Sequence, residues 1–191
     1  TFAPVAASTF CPTCPIHSTS PTKSDEVSDC VCSAGYAGSI TGTVTASGSC
    51  DMCVSGTYKT LSGNGDCDSC PNNTNSAEGE TMLDLCLGNV GYSGSGNSVG
   101  ACSAGYFKED NMSAANCIAC PRGFSTNNLT AQGGCAVCNV GFYSPIDGSP
   151  ECIDCGEGRT TTFAGQYWCY DQQVIITAKT SLRGYTKKEF D

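Results

Sequence analysis

Cysteine is the residue of this chain best able to do chemistry: 17 of 191 residues are cysteines. A thiolate can ligate zinc, attack as a redox nucleophile or pair as a disulfide, and spacing separates the three. The cysteines stand at 11, 14, 30, 32, 50, 53, 67, 70, 86, 102, 117, 120, 135, 138, 152, 155 and 169. Two C-x2-C pairs about 13 to 15 residues apart approach zinc-ribbon spacing, and 50/53 with 67/70 or 117/120 with 135/138 would qualify. Against zinc, the period runs on to Cys155 and Cys169, Cys86 and Cys102 stand alone, and His17 is the single imidazole. Redox catalysis lacks the βαβ context its C-x2-C needs. Disulfides are the expected use, and no metal or cofactor is expected. They persist in oxidising compartments, which places the chain outside the cell or at its surface.

Other catalytic material is sparse. His17 lies in a Ser/Thr/Pro-rich stretch with no nucleophile motif beside it and reads as a solvated loop residue. Asp25/Glu26, Asp66/Asp68 and Glu109/Asp110 are acidic pairs without the oxygen-rich spacing of a calcium loop, so a solvated face is expected. A formal charge of −9 opposes binding to nucleic acid or to an anionic membrane. No apolar run approaches a membrane span. The opening TFAPVAASTF has neither Met nor a signal-peptide core and reads as a processed or excerpted start. The chain is expected not to be an enzyme.

The elements that must position these cysteines are small. Leu, Ile, Val and Phe total 30 of 191 residues, about 16%, below the roughly 20% at which a chain buries enough apolar surface to fold unaided. Cross-links must replace the core. The cysteines recur every 17 to 18 residues, most clearly in CSAGYF, CPRGF and CNVGFY from Cys102, Cys120 and Cys138; CGEGRT from Cys155 lacks the aromatic. Weaker copies are CSAGY at Cys32, CVSGTY at Cys53 and LGNVGY after Cys86. Each Gly-aromatic step is expected to lay a ring (Tyr36, Tyr58, Tyr92, Tyr106, Phe124 or Phe142) over the sulfurs. Glycines before the closing cysteines, in SGSC, GNGDC and GGC, are expected to supply positive φ for a tight return. The fold predicted is a small disulfide-rich, elongated tandem array of short irregular β-hairpin repeats with little regular secondary structure.

Pairing the second Cys of each C-x2-C with the next Cys gives Cys14–Cys30, Cys32–Cys50, Cys53–Cys67, Cys70–Cys86, Cys102–Cys117, Cys120–Cys135, Cys138–Cys152 and Cys155–Cys169. This leaves Cys11, whose partner would lie in a preceding repeat. An interlocked scheme, Cys50–Cys67 with Cys53–Cys70, competes with it, since connectivity is formally open in a sequence.

The stretch CIACPRGFSTNNLTAQGGCAVCNVGFYSPIDGSPECIDC resembles the ephrin-receptor-like cysteine-rich repeat, a relative of the tumour-necrosis-factor-receptor and EGF-like modules of long secreted proteins in protists and animals. The resemblance spans about 11–169 and implies module type more than function. Interlocked pairing is the arrangement of the tumour-necrosis-factor-receptor modules. Residues 11–50 and 86–102 depart from the repeat, with C-x-C at Cys30 and Cys32 and lone cysteines.

Domain organisation follows: residues 1–10 an extension or linker, 11–170 the repeats, and 171–191 a β-strand and helix start opening an α/β-type domain. In that last segment residues 172–183 are expected to form a strand, in which Val174, Ile176, Ala178, Thr180 and Leu182 alternate with Ile175, Thr177, Lys179, Ser181 and Arg183, and Thr186 with Glu189 makes a capping box. SLRGYTKKEFD is similar to the opening of a small α/β domain that follows such repeats in secreted algal proteins. Asn72, Asn111 and Asn128 are N-glycosylation acceptors in NNT, NMS and NLT. The expected role is a non-enzymatic spacer or subunit of an extracellular filament, flagellar hair or surface coat, with other extracellular subunits, self-assembly and glycans as its partners. The rival is a ligand-binding receptor ectodomain or variable surface antigen, for which Tyr167, Trp168 and Tyr170 are the candidate exposed aromatics; flanking Cys169, they are expected instead to seal the last repeat.

Overall fold

The computed structural model describes residues 13–42 and 47–173. Cys11, nearly all of the predicted strand at 172–183 and the capping box after it lie outside the described residues. Two compact units are present. The first comprises 1–89, 93–100 and 111–114, and the second 90–92, 101–110 and 115–191.

Each repeat is a hairpin of two short strands, entered by a turn that its glycine makes possible. Three residues after the opening Cys the backbone crosses to positive φ, at Gly35 (+79°), Gly56 (+84°), Gly105 (+84°), Gly123 (+82°), Gly141 (+92°) and Gly158 (+73°). The next residue donates its N–H back across the turn, as Phe124 does to Pro121 O at 3.1 Å, the pattern of a type II turn. Two repeats use other residues there: His17 (+60°) after Cys14, and Asn73 (+63°) after Cys70. Asn and His are the non-glycine residues most tolerant of that region.

The return strand explains the two-residue gap of C-x2-C. Asp68–Ser69, Ile118–Ala119, Ala136–Val137 and Ile153–Asp154 are return strands, each held between two cysteines. Side chains alternate along extended backbone, so cysteines three apart point opposite ways. One closes its own hairpin and the other opens the next. Registers are antiparallel, with Phe124 opposite Val137 and Phe142 opposite Asp154. Eight disulfides join the sixteen described cysteines, in sequential order: Cys14–Cys30, Cys32–Cys50, Cys53–Cys67, Cys70–Cys86, Cys102–Cys117, Cys120–Cys135, Cys138–Cys152 and Cys155–Cys169. A closed loop of about 15 residues contributes roughly 3 kcal/mol in the chain-entropy model.

The solitary Cys86 and Cys102 flank a hairpin without a disulfide, Tyr92–Ser93 with Gly100–Ala101. Gly88 stands three residues before Gly91 as Cys32 stands three before Gly35, and Cys86-Leu87-Gly88 repeats the spacing of Cys30-Val31-Cys32. A repeat is therefore present here with its opening cysteine replaced.

Within each unit, successive repeats are joined backbone to backbone. The turn glycine donates forward: Gly35 N–H to Lys59 O at 2.9 Å, Gly91 N–H to Lys108 O at 2.9 Å and Gly123 N–H to Ser144 O at 3.0 Å. The opening cysteine's carbonyl accepts from the next repeat, Cys53 O from Gly79 at 2.8 Å, Cys120 O from Gly148 at 2.7 Å and Cys138 O from Gly165 at 2.8 Å. These bonds bring main chains so close that no side chain fits between them. A Cβ on Gly105 would stand 2.1 Å from Gly148 O, and one on Gly123 2.0 Å from Gly165 O.

The interior is lined by half-cystines and polar residues. Cys32, Cys53, Cys102, Cys120 and Cys138 are fully buried, while Val27, Ile40 and Tyr36 join Cys30, Cys32 and Cys50 in an apolar cluster of the first unit. Six residues after an opening Cys comes a buried Lys59, Ser76, Lys108, Thr126, Ser144 or Thr161. Tyr36 packs on this cluster, as expected of a ring laid over the sulfurs, whereas Tyr106 and Phe142 are each 41% exposed and turn much of the ring to solvent. Main chains this close leave room for a hydroxyl or a threaded lysine and none for a ring. The expectation for the double glycine before Cys135 is corrected. Ala131 (+56°) makes the left-handed turn, and Gly133 is needed for space, since a Cβ there would lie 2.5 Å from Val90 Cγ1.

Gly123→Ala and Gly156→Ala separate the two demands on these glycines. Both have φ near +80°, but a Cβ on Gly156 meets nothing within 4 Å. In non-reducing thermal unfolding Gly156→Ala is expected to cost about 1 to 2 kcal/mol, the left-handed penalty, and Gly123→Ala clearly more.

Candidate functional site

The chemistry-bearing residues of the sequence are mostly engaged in holding the backbone. All sixteen described cysteines are in disulfides, so none offers a thiolate. Among the described residues no three His, Cys, Asp or Glu side chains gather as a metal-holding group. His17 occupies the left-handed turn position and stacks on Tyr36, ring centroids 4.2 Å apart and 10° from parallel. Asp25 and Glu26 do not converge on an empty point. Their N–H groups donate to Asp29 Oδ2 at 3.0 and 3.2 Å, so Asp29 caps the short 3-10 turn Val27–Asp29 while Glu26 accepts the Ser28 hydroxyl.

Polar groups under the repeats serve the ladder. Thr126 Oγ1 accepts from Gly105 N–H at 2.7 Å, Thr161 Oγ1 from Gly141 N–H at 2.9 Å, and Ser76 Oγ from Gly56 N–H at 3.1 Å. A turn amide left unpaired at such a depth would cost about 1 to 3 kcal/mol. Lys59 Nζ donates to the carbonyls of Tyr36 at 2.9 Å, Gly65 at 3.3 Å and Gly63, tying two hairpins together. Lys108 Nζ donates to Asp110 O at 2.7 Å. Burial lowers the Lys108 pKa below its ordinary 10.5, against a smaller opposing pull from the Asp110 carboxylate. Periodicity of cysteines had not pointed to these residues. The available signal was the run of Lys, Ser and Thr at one fixed offset from the opening cysteine.

The surface presents two features. Tyr167 and Trp168, 39% and 42% exposed, meet edge to face at 3.9 Å, and Trp168 meets Tyr170 at 5.9 Å. Arg122 lies 5.1 Å from the Tyr167 ring centroid, a cation–π contact between residues far apart in sequence. Asn72, Asn111 and Asn128 are all exposed.

These geometries define a disulfide-stapled array of cysteine-rich hairpin repeats of the extracellular type. Residues 41–81 and 128–167 match the family described as tyrosine-protein kinase ephrin type A/B receptor-like. Thyroglobulin of Rattus norvegicus is 34% identical over 68 residues, covering 35% of this chain and 2% of that protein. The chain thus spans a small fraction of that relative's length. Disulfides in this number and repeats of this type belong to extracellular or secreted chains. Among the described residues no helix is long and apolar enough to cross a membrane.

Two outcomes test this arrangement. Non-reducing peptide mapping of the native protein should recover Cys120–Cys135 and Cys138–Cys152; interlocked pairs, or stoichiometric zinc with alkylatable thiols, would contradict it. For Lys108 the unfolded chain holds more protons between the lowered pKa and 10.5, so this group's contribution to stability rises with pH through that alkaline window. Lys108→Met should lose that rise, read from the difference between melting midpoints at pH 8 and pH 10 without reductant.

Proposed function

We propose that this chain is a non-enzymatic structural module of an extracellular protein, a spacer or subunit of a filament, flagellar hair or surface coat, whose partners are further subunits of the same kind. The observation that carries this reading is the forward ladder itself. The turn glycines Gly35, Gly56, Gly91 and Gly123 and the opening cysteines Cys32, Cys53, Cys102, Cys120 and Cys138 find backbone partners in the following repeat, and Gly105 and Gly141 find hydroxyls there, so stability propagates from neighbour to neighbour as in other repeat proteins. The chemistry agrees: the described sulfurs are oxidised, Asp29 caps a turn, and the buried lysines hold carbonyls. Acidic charge keeps such a module soluble. Strand addition is the proposed mode of assembly, through the alternating run at 174–183, because it combines main-chain bonds with side-chain pockets.

A second reading, ligand recognition by a receptor ectodomain or surface antigen, is favoured by one observation: the Arg122–Tyr167–Trp168 cluster has the residue types that dominate binding surfaces. One pair of variants separates the readings. Deleting 172–191 should leave the disulfide map intact and abolish self-association in sedimentation velocity. If the truncated chain associates as the parent does, the assembly role of that segment is wrong. The recognition reading gains if Trp168→Ala leaves association intact but removes adhesion of protein-coated beads to cell surfaces.

A further inference from the structure

On the second unit an open groove of about 670 Å³ is lined by Asn127, Asn128, Val137, Phe142 and Glu151. Its rim is a tight turn. Asn127 (+53°) and Asn128 (+61°) are both left-handed, and Leu129 N–H closes onto Thr126 O at 3.0 Å, the type I′ pattern. Asn128 is fixed at both ends: its main-chain N–H donates to Pro150 O at 2.8 Å, and Nδ2 donates to Glu151 Oε2 at 2.5 Å. Below it lie Val137 and Phe142, 43% and 41% exposed.

Turn chemistry accounts for asparagine at 127 and 128 but not for Thr130, the third residue of Asn128-Leu129-Thr130. Thr130 is exposed, and its hydroxyl makes no hydrogen bond among the described residues. Thr74, the corresponding residue of Asn72-Asn73-Thr74, differs. It is buried, and Oγ1 donates to Pro71 O at 2.6 Å, the contact that Ser18 makes with Pro15 O and Thr57 with Val54 O. The hairpin itself requires a hydroxyl at 74 and makes no such demand at 130.

We propose that Asn128 carries an N-linked glycan whose first N-acetylglucosamine lies in this groove over Val137 and Phe142, held by Glu151. The donor is a lipid-diphosphate-linked oligosaccharide of the secretory pathway. Asn128 Nδ2 forms a bond to the sugar's anomeric carbon and gives up one proton to water, while the bond from that carbon to the diphosphate oxygen breaks and the lipid diphosphate leaves with the bond's electron pair. One N–H remains on Nδ2, and it is enough to keep the hydrogen bond to Glu151. The apolar face of the pyranose then covers the Phe142 ring, which the repeat's narrow interior had excluded. This inference needs passage through the secretory pathway and is independent of the spacer reading.

Expression of the full chain from a secreting eukaryotic cell tests it. Peptide-N-glycosidase digestion in H2-18O converts a glycan-bearing asparagine to 18O-labelled aspartate, and Asn128 is expected to be labelled at high occupancy. Thr130→Ala should remove that label with the disulfide map unchanged. An unlabelled Asn128 in secreted, fully oxidised protein overturns the site. For the seat, enzymatic release from the native fold should be about fivefold faster in Phe142→Ala, the size of one aromatic contact. Glu151→Gln, nearly isosteric, should also release faster, and unchanged release in both variants overturns the seat.

Discussion

The constraint on which the rest depends is that a hairpin of two-residue strands cannot satisfy its own backbone. Each strand pair closes only a few bonds, and the turn glycine's N–H and the opening cysteine's carbonyl point away from it. Within each unit they are met by the following repeat, as in Gly123 N–H to Ser144 O and Cys120 O from Gly148 N–H. Meeting them brings main chains into direct contact and removes the space for a Cβ. Glycine at Gly35, Gly91, Gly105 and Gly123 is therefore fixed twice, by positive φ and by its neighbour's carbonyl. The disulfides hold the chain in the geometry that makes the approach possible.

A second consequence is an interior that is polar by necessity. Beyond the cluster of Val27 and Ile40 the interior holds sulfur, hydroxyls and two lysine chains, and hydroxyls serve because they also accept from turn amides. Thr126 and Thr161 do so directly, while Lys59 gathers three carbonyls of two hairpins. Aromatic rings are displaced outward at Tyr106 and Phe142. An array built in this way has little hydrophobic stabilisation, and loop closure at about 3 kcal/mol per repeat carries a correspondingly larger share. The hairpin at Tyr92–Ser93 and Gly100–Ala101 lacks that contribution.

The same economy governs function. His17 and Asp29, groups that elsewhere could be catalytic or metal-binding, are taken up by a turn and a cap. What remains available lies on the outer faces. There the Tyr106 and Phe142 rings and the Arg122–Tyr167–Trp168 cluster are exposed, and the Asn127–Asn128 turn is the proposed place of glycan attachment.

The cysteine spacing alone determined the repeat length, the hairpin as its unit and the oxidising compartment, because these depend on residue type and separation along the chain. A two-residue gap in C-x2-C is an alternation rule, and it is local. Composition likewise ruled out a large apolar core. Only tertiary structure decided which groups line the interior, since the offset of Ser76, Thr126 and Thr161 has no meaning until the next repeat lies against it. Nor could sequence reveal that Arg122 meets Tyr167. Those relations join residues by distance through space, and a chain this rich in turns determines such distances only when its backbone hydrogen bonds have closed.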